Sequence, residues 1–382
     1  MGEYILKRED IAPLLKGLTI YGTGGGGDPV WGRVILENEF AQGRTCRLIA
    51  PEDVPDDAFV CSGGIMGSVK ALGDISYDSI VAEWEEDFPL VNAIRTMERL
   101  CQKKIDFLVP FEAGGLNTPV IMAAAARLNI PMIDGDGNGR SAPETQMTSF
   151  VGHGINLYPM PLSDRYGNIT IVLKANETTY ADEVGRFLVV KGGNLGANAH
   201  YPMTGQQARE SCIPHTISDA LTLGRLLDDC QKNSLDACEK VGQHFKGTEL
   251  FRGTVCRIEG IDKGGFYLTN LDLCGSGNWA EHSAKLVIKN ETMVLWVDHE
   301  LKIMFPDRLF MLYPVTGEGV ESVSLCEGME IVLIGAPCHP RIASFMGTEI
   351  GQISFGGTRY GYGELKYQAF QQPEQSSLEV AR

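Results

Sequence analysis

Short apolar runs alternate with stretches of helical periodicity through the first 165 residues of the chain. This alternation is typical of βα units that build a parallel sheet. Apolar side chains recur at helical spacing between Pro89 and Lys103 and predict a helix there. The strands that the pattern predicts are Cys46–Ala50, Ala58–Cys61, Ile105–Pro110 and Ile130–Ile133.

Two helix starts are marked by a capping residue followed by proline. Asp28 precedes Pro29, and Thr118 precedes Pro119 ahead of the apolar run 120–128. Both side chains can accept a hydrogen bond from a free N–H group of a first helical turn. We therefore expect Asp28 and Thr118 to be N-caps.

The pattern changes after Arg165. A strand is predicted over 168–174 and a helix over 181–190. Thr204 and Gln207 form a capping box, which opens a helical stretch that continues to about residue 243.

From residue 246 to 335 short alternating runs with turn residues between them predict a small β-barrel or sandwich. The fold class is therefore α/β plus β. The predicted division is an α/β domain (1–165), a helical bridge with a β domain (166–370) and a polar, disordered tail (371–382). The runs that predict the β domain are Gly253–Ile258, Gly265–Leu271, Ala284–Ile288, Met293–Val297 and Ile331–Gly335.

Composition narrows the class of protein. Lys and Arg number 33 against 49 Asp and Glu, so the net charge is −16 and no nucleic-acid partner is predicted. The longest uncharged apolar run, 120–126, is much shorter than the ~20 residues of a membrane helix, and the opening MGEYILKRED is charged. The 10 cysteines form no C-x-x-C pair, so we expect reduced thiols. Together these features predict a cytoplasmic protein that contacts no membrane.

Glycine is the unusual component, with 45 residues of 382, about 12% against a usual ~7%. It clusters in four loops, at 21–29, 62–68, 111–118 and 134–144. Glycine lets backbone N–H groups approach a ligand and tolerates positive φ, although each loop alone is also explained as a tight turn. Four such glycine-rich loops in one domain favour a ligand-binding site. The residues we predict to bind a small-molecule substrate are Gly24, Gly25, Gly26, Asp28, Gly63, Gly64, Gly114, Gly115, Asn117 and Arg140.

The first loop contains G-x-G-x-x-G as Gly22, Gly24 and Gly27, but its context argues against a nucleotide site. The fingerprint needs a preceding strand, whereas 7–18 has a helical pattern, and Asp28 would repel a phosphate. No Lys-Ser/Thr pair follows Gly27, so a P-loop is also excluded.

Carboxylates accompany the glycines and are the candidate catalytic groups. Glu112 follows a predicted strand and is a poor turn former, so it is the first choice for a general base. Asp134 and Asp136 leave the next strand and are either a second base or Asx-turn residues. Carboxylates that converge on one pocket raise each other's pKa and suit an N–H-rich ligand or a divalent metal. Metal dependence stays open at this point.

Three other side chains are candidates with an ordinary alternative each. His153 lies between two glycines and is either an acid or an exposed residue. Cys61 is better explained as a buried thiol than as a nucleophile. Arg140 either binds a ligand carboxylate or pairs with Asp134 or Asp136.

Four segments, YGTGGGGDP (21–29), FEAGGLN (111–117), IDGDGNGRSAPETQM (133–147) and GGTRYGYGE (356–364), resemble the family named after S-methyl thiohydantoin desulfurase. The similarity spans nearly the whole chain. It implies an N-terminal three-layer α/β domain, a C-terminal β-barrel-like domain and a role in cyclic-amide metabolism beside hydantoinase- or oxoprolinase-type enzymes. Ala142 stands where the family commonly has a bulkier residue, and Gly135 where it commonly has Ala, which implies a different pocket shape.

Two functions remain as hypotheses. In the first, the protein is a hydrolase of a five-membered cyclic amide or thiohydantoin-like ring, in which Glu112, Asp134 or Asp136 activates water and His153 protonates the leaving group. In the second, it is a non-catalytic ligand-binding or partner subunit of a hydantoinase-like assembly, because no nucleophile–base pair is recognisable. A homo-oligomer is compatible with both.

Overall fold

The computed structural model describes residues 2–67, 76–263 and 266–372. Ser68 of the second glycine-rich loop and residues 373–382 of the predicted tail lie outside the described residues. No helix of the described part combines the length and the apolar character that crossing a membrane requires.

The amino-terminal half is organised around a mixed sheet. Its strand order is β1-β2-β5-β4-β3-β9-β7-β8, with β2, β5, β4 and β3 parallel and the other pairs antiparallel. The carboxyl ends of the parallel strands therefore share one edge, which carries the glycine-rich loops. The strands are β1 Tyr4–Ile5, β2 Arg47–Ile49, β3 Phe59–Met66, β4 Phe107–Pro110, β5 Met132–Ile133, β7 Met160–Asp164, β8 Ile169–Val172 and β9 Gly196–Thr204; a separate antiparallel pair is β6 Gly135–Asp136 with β10 Ile213–Pro214.

Helices cover both faces of this sheet and make three layers. One apolar core lies under α4 and α5, which pack on the central strands, and a second core lies on the other face under α7 and α8. This arrangement confirms the predicted α/β class. The helices are α1 Ile11–Tyr21, α2 Pro29–Ala41, α3 Tyr77–Glu86, α4 Pro89–Cys101, α5 Asn117–Leu128, α6 Ser149–Gly152, α7 Tyr180–Lys191, α8 Gly205–Ser211, α9 Thr216–Asn233 and α10 Ala237–His244.

The carboxy-terminal half is an antiparallel sheet curved into a half-barrel. Its order is β15-β14-β13-β12-β11-β17-β16, which confirms the predicted β part. Two short helices, α11 Pro340–Ala343 and α12 Glu349–Phe355, follow the sheet and pack with it against the loop around Ala142. The strands are β11 Thr248–Lys263, β12 Phe266–Gly275, β13 Ser283–Lys289, β14 Glu291–Val297, β15 Glu300–Met304, β16 Arg308–Leu312 and β17 Glu330–Ala336. Short 3-10 helices lie at Arg8–Asp10, Pro51–Asp53, Gly277–Trp279, Ser322–Ser324 and Gly357–Tyr360.

Of three local capping predictions, two are confirmed and one is wrong. Asp28 caps α2, because its carboxylate accepts a hydrogen bond from the backbone N–H group of Val30 at 2.7 Å. The prediction that Thr118 is an N-cap is wrong. The helix begins at Asn117, two residues before the predicted start at Pro119, and the Thr118 hydroxyl accepts a hydrogen bond from the Gly114 N–H group at 3.2 Å. The capping box at Thr204 and Gln207 is confirmed.

The expectation that all thiols are reduced is wrong for one pair. Cys256 and Cys274 form a disulfide between the neighbouring strands β11 and β12, with their Cα atoms 6.0 Å apart. The other eight cysteines are free.

Candidate functional site

The glycine-rich loops meet at the carboxyl edge of the parallel strands. Backbone hydrogen bonds join the first loop to the third, from Leu116 N to Gly26 O at 2.9 Å, and the fourth to the first, from Ser141 N to Tyr21 O at 2.9 Å. The end of β3 joins them, because the Ile65 N–H group donates to the Asn117 side-chain oxygen at 3.0 Å. The loops therefore form one wall rather than separate turns.

Glycine is required where the first and third loops touch. Gly26 has a φ of +74°, and a Cβ added there would lie 2.7 Å from the Cα atom of Gly114. A Cβ at Gly114 would in turn lie 2.6 Å from the Cα atom of Gly26. Both positions bring backbone against backbone, so a side chain at either would separate the loops.

A cavity lies between this wall and the carboxy-terminal half. Its polar lining consists of carboxyl groups, amides and one guanidinium, and its apolar lining comes from the ends of β3 and β4 and the start of α5. The lining residues are Gly26, Gly27, Ile65, Met66, Gly67, Phe111, Glu112, Leu116, Asn117, Ala142, Pro143, Thr145, Asp182, Arg186, Asn198, Asn290 and Glu291.

Glu112 lies at the cavity wall and is almost fully buried. Each carboxylate oxygen accepts one hydrogen bond, from the Asn117 side-chain amide at 2.6 Å and from the Ala142 N–H group at 2.6 Å. Burial raises the pKa of Glu112 well above its usual value, and repulsion from Glu291 raises it further, against the effect of both donors. The two donors therefore reduce the upward shift in the pKa of Glu112 but do not cancel it.

Glu291 is the second buried carboxyl group of the cavity, and it comes from the other half of the chain. Its Oε1 atom accepts a hydrogen bond from the Gly26 N–H group at 3.1 Å. Its Oε2 atom is buried and has no hydrogen-bond partner in the described part of the molecule. Burial raises the pKa of Glu291 to about 7, opposed by the Gly26 donor and the charge of Arg140. Glu112 and Glu291 are thus two buried carboxyl groups with raised pKa values, and the charge of Glu291 raises the pKa of Glu112.

The β13–β14 hairpin carries Glu291 into the cavity wall. Asn290 forms its turn with a φ of +58°, in the left-handed region that asparagine tolerates. Its side-chain oxygen accepts from the Tyr267 N–H group at 2.8 Å, and its own N–H group donates to Tyr267 O at 2.9 Å. The preceding residue, Lys289, has its Nζ atom 2.5 Å from Oε1 of the buried Glu144 in the fourth loop. The two residues directly before Glu291 are therefore both anchored.

Helix α7 supplies a charged pair to the wall. Asp182 accepts from the N–H and hydroxyl groups of Thr145 at 3.0 and 2.6 Å and from Arg186 Nε at 2.9 Å. Arg186 also donates to the Pro143 carbonyl oxygen and stacks over the Phe266 ring at 3.7 Å. Because these contacts join the helix to the fourth loop, the pair closes one side of the cavity.

The structure does not bring three of the predicted catalytic residues to this cavity. Asp134 accepts from the Ser218 N–H and hydroxyl groups at 2.9 and 2.6 Å and from the Ile217 N–H group at 3.2 Å, at the start of α9. Asp136 accepts from the N–H groups of Asn138 and Gly139 at 2.9 to 3.0 Å, in an Asx turn. Burial raises the pKa of Asp136 to about 7. His153 is exposed and hydrogen-bonds to Ser149 O at 2.8 Å.

Arg140 is fully buried and connects the two halves. Its guanidinium donates to the carbonyl oxygens of Asp307 and Thr292 at 2.7 Å and to the Thr23 hydroxyl at 2.9 Å. Burial lowers its pKa to about 10, with the charges of Glu291 and Asp307 opposing the shift. It makes no hydrogen bond or ion pair with Asp134 or Asp136 in the described residues.

Of the predicted substrate-binding residues, only Gly26 and Asn117 line the cavity. Asp28 caps α2 and also accepts a hydrogen bond from the Tyr77 hydroxyl. The residues that pack behind the wall instead of lining it are Gly24, Gly25, Gly63, Gly64, Gly114, Gly115 and Arg140. Cys61 is a buried core residue, and burial raises the pKa of its thiol. Within the described residues no group of three or more His, Cys, Asp or Glu side chains is arranged to hold a metal ion.

Sequence reasoning missed the lining residues that lie after residue 165. Glu291 and Asn290 lie in the predicted β domain, and nothing in their local pattern shows that this hairpin contacts residue 26. Asn198 ends the glycine-rich stretch GGNLGAN (192–198), which was a usable signal because glycines there resemble the four loops of the first half. Asp182 and Arg186 have ordinary i,i+4 helical spacing and gave no signal.

Comparison with known proteins identifies the family and supports the fold. The family model of the S-Me-THD-like N-terminal domain matches residues 9–174, and that of the S-Me-THD-like C-terminal domain matches residues 175–370. An X-ray crystal structure of a protein from Chromobacterium violaceum is similar, with a TM-score of 0.77 and 21% identity over 96% of this chain and 100% of that chain. No match is found among curated proteins. Since the two family models together cover nearly the whole sequence, the chain belongs to the S-Me-THD-like, that is, S-methyl thiohydantoin desulfurase-like, family.

Proposed function

We propose that the protein hydrolyses a small cyclic amide or thiohydantoin-like ring at its amidine-like carbon, with Glu112 as general base and Glu291 as general acid. The observation that carries the proposal is the buried pair itself. Glu112 has a donor on each oxygen, and Glu291 has one oxygen without a partner, in the same cavity. The family supports a thiohydantoin desulfurase-like role.

The two carboxyl groups have different protonation states in this proposal. We assign the proton that the pair shares to Glu291, because only one of its oxygens has a hydrogen-bond donor whereas both oxygens of Glu112 have one. A carboxylic acid whose pKa lies near the working pH is a suitable proton donor, and the neighbouring carboxylate is a suitable acceptor. The Oε2 atom of Glu291 has no hydrogen-bond partner among the described residues, so it is the oxygen that holds the proton in this proposal.

The reaction of an S-methylated ring balances with these two groups alone. Water forms a C–O bond to the ring carbon while Glu112 takes one of its protons and Glu291 protonates the ring nitrogen, which gives a tetrahedral intermediate. The C–S bond then breaks and the hydroxyl becomes a carbonyl group. Its proton returns to Glu291, and the proton on Glu112 passes to the departing sulfur. The products are a cyclic amide and methanethiol.

Asp134, Asp136 and His153 have no place in this proposal. The two aspartates use their oxygens on backbone N–H groups or Ser218, and His153 lies outside the cavity. Association with a hydantoinase-like enzyme and a cytoplasmic location stay predictions.

The test is product analysis in ¹⁸O-labelled water. The purified full chain is incubated with an S-methylated thiohydantoin, and methanethiol and the ring product are measured by mass spectrometry. We expect methanethiol and a ring with ¹⁸O on the carbon that lost sulfur. Glu291→Gln should lower turnover about 10²-fold or more.

Glu321→Gln is the matched control, because burial raises the pKa of Glu321 to about 7 although this residue does not line the cavity. This variant should turn over at the wild-type rate. If wild type binds S-methylated thiohydantoin, hydantoin or 5-oxoproline but converts none of them, the hydrolase proposal is wrong and the ligand-binding subunit takes its place.

A further inference from the structure

Asn198 presents an unused amide to the cavity. It lies on β9 and lines the cavity, and its residue surface is only 2% exposed. Its side chain has no hydrogen-bond partner among the described residues. A carboxamide has two donors and two acceptor positions, so a ligand in the cavity can pair with both ends of this side chain.

The other amides of the cavity are already engaged. Asn117 donates to Glu112 and accepts from the Ile65 N–H group, so both ends of its side chain have partners. The side-chain oxygen of Asn290 accepts from the Tyr267 N–H group. Asn198 is therefore the cavity amide, within the described chain, whose oxygen and nitrogen are both available to a ligand.

The backbone around Asn198 is held on two sides. Its strand pairs with Gly64 on β3 and with Leu162 on β7. A Cβ added at Gly64 would lie 2.7 Å from the Phe111 ring, so glycine lets this aromatic wall lie directly against the strand. The backbone of Asn198 is thus fixed beside the strand against which the Phe111 ring packs.

We propose that Asn198 recognises the amide edge of the ring, by accepting from a ring N–H group and donating to the adjacent ring carbonyl oxygen. This inference rests on the proposed function, and it names the substrate class: a five-membered cyclic amide whose N–H group is unsubstituted. In such a ring the N–H and C=O groups of one amide are cis and face the same side, where one carboxamide pairs with both. In a trans peptide they face opposite sides, so a linear peptide does not make this pair.

The remaining cavity surfaces fit this orientation. Phe111, Leu116 and Ile65 offer apolar contacts to the faces of a flat ring. The carboxyl pair of Glu112 and Glu291 is left for the reacting carbon, since neither group is needed to hold the amide edge. Ring binding and catalysis are thereby assigned to different side chains.

The experiment is a cycle of equilibrium binding measurements on the full chain. Calorimetry gives the affinities of hydantoin and 1,3-dimethylhydantoin for wild type and for Asn198→Ala. We expect wild type to prefer hydantoin by at least about tenfold, and Asn198→Ala to lose most of this preference. Thermal melting confirms that the variant is folded, and Asn198→Ser, a second truncation, should give the same result if alanine unfolds the chain.

Asn138→Ala is the matched control. Asn138 is also 2% exposed and its amide atoms have no partner, yet it does not line the cavity, so its removal should leave the preference unchanged. The inference is overturned if wild type binds neither ring, or if folded Asn198→Ala keeps the wild-type preference.

Binding without turnover separates the two proposals. If hydantoin binds through Asn198 but the protein never converts an S-methylated ring, the hydrolase proposal is wrong and the proposed role of Asn198 stands. If the protein converts the ring and Asn198→Ala keeps the wild-type ring preference, the proposed role of Asn198 is wrong and the hydrolase proposal stands.

Discussion

Two acidic regions of the molecule lie near the same sheet edge and differ in what surrounds their carboxyl groups. In the cavity, Glu112 and Glu291 come from opposite halves of the chain, and one oxygen of Glu291 has no partner within the described residues. In the segment after β5, Asp134 and Asp136 are just as buried, but both bind N–H groups of neighbouring backbone.

The difference shows that burial alone does not make a carboxyl group reactive. Burial raises the pKa of Asp136 to about 7, as it does for Glu291, yet the oxygens of Asp136 accept from Asn138 and Gly139 and do not line the cavity. An oxygen that already accepts a hydrogen bond from a turn stabilises that turn, whereas a free oxygen beside a second carboxyl group can exchange a proton with a ligand.

The largest expected effect is on turnover, and it distinguishes the Glu112–Glu291 pair in the cavity from the aspartates after β5. Glu112→Gln should lower turnover of an S-methylated thiohydantoin by about 10²–10⁴-fold, because it removes the base. Asp136→Asn should keep turnover within about threefold of wild type, since the amide oxygen can still accept the turn hydrogen bonds. Steady-state kinetics on folded variants measure both. If Asp136→Asn lost most of its turnover while Glu112→Gln stayed fully active, Asp136 and not Glu112 would be the base.

A smaller expected effect is on the free energy of unfolding, to which Asp134 should contribute by holding the start of α9. Asp134→Ala removes the acceptor for Ile217 and Ser218 at the start of α9, and the free energy of unfolding should fall by about 1–3 kcal/mol. Asp229→Ala, an exposed position on the same helix, should change it by less than about 0.5 kcal/mol. Urea denaturation measures both values. Equal effects would show that Asp134 does not stabilise the helix.

A structural feature could be predicted from the sequence when the residues that form it are close together along the chain. Asp28 was predictable as a cap, because its partner is two residues away. Thr118 was predicted wrongly because its hydroxyl bonds to Gly114 in the preceding loop, which the capping rule does not consider. The disulfide was missed because it depends on the register of two strands, and spacing alone does not give that register.

The site was predictable only in its amino-terminal part. Glycine-rich loops after parallel strands indicate a cavity, and Glu112 lies in it. Glu291 is 265 residues from Gly26 along the chain, and only the docking of the half-barrel brings them together. No periodicity or capping rule describes a contact of that range, so the second carboxyl group could not be found from the pattern.

The smallest effect is a change of stability with pH. Burial raises the pKa of Glu291 from 4.5 to about 7, so the folded state holds a proton that the unfolded state releases. The stability linked to this proton is present below pH 4.5 and is lost as the pH rises through about 7. Glu291→Gln removes the charge, so it should be more stable than wild type at pH 8 by on the order of 1 kcal/mol. This difference in the free energy of unfolding between Glu291→Gln and wild type should be smaller at pH 5. Chemical denaturation at both pH values measures it, and an equal difference at pH 5 and pH 8 would contradict the link between stability and the Glu291 proton.

The most direct test of the shared proton is ¹³C NMR of the full chain labelled at glutamate side-chain carboxyl carbons, in the Glu321→Gln background, because burial also raises the pKa of Glu321. In a pH titration, we predict two carboxyl resonances, from Glu112 and Glu291, that stay protonated above pH 5 after the exposed glutamates have ionised. Glu291→Gln should remove one of them and lower the pH at which the other ionises, because burial still raises the pKa of Glu112 whereas the repulsion from Glu291 is gone. If all glutamates ionise together near pH 4.5, or if Glu112 ionises at the same pH in Glu291→Gln as in wild type, the two carboxyl groups do not share a proton and the proposed acid–base pair is wrong.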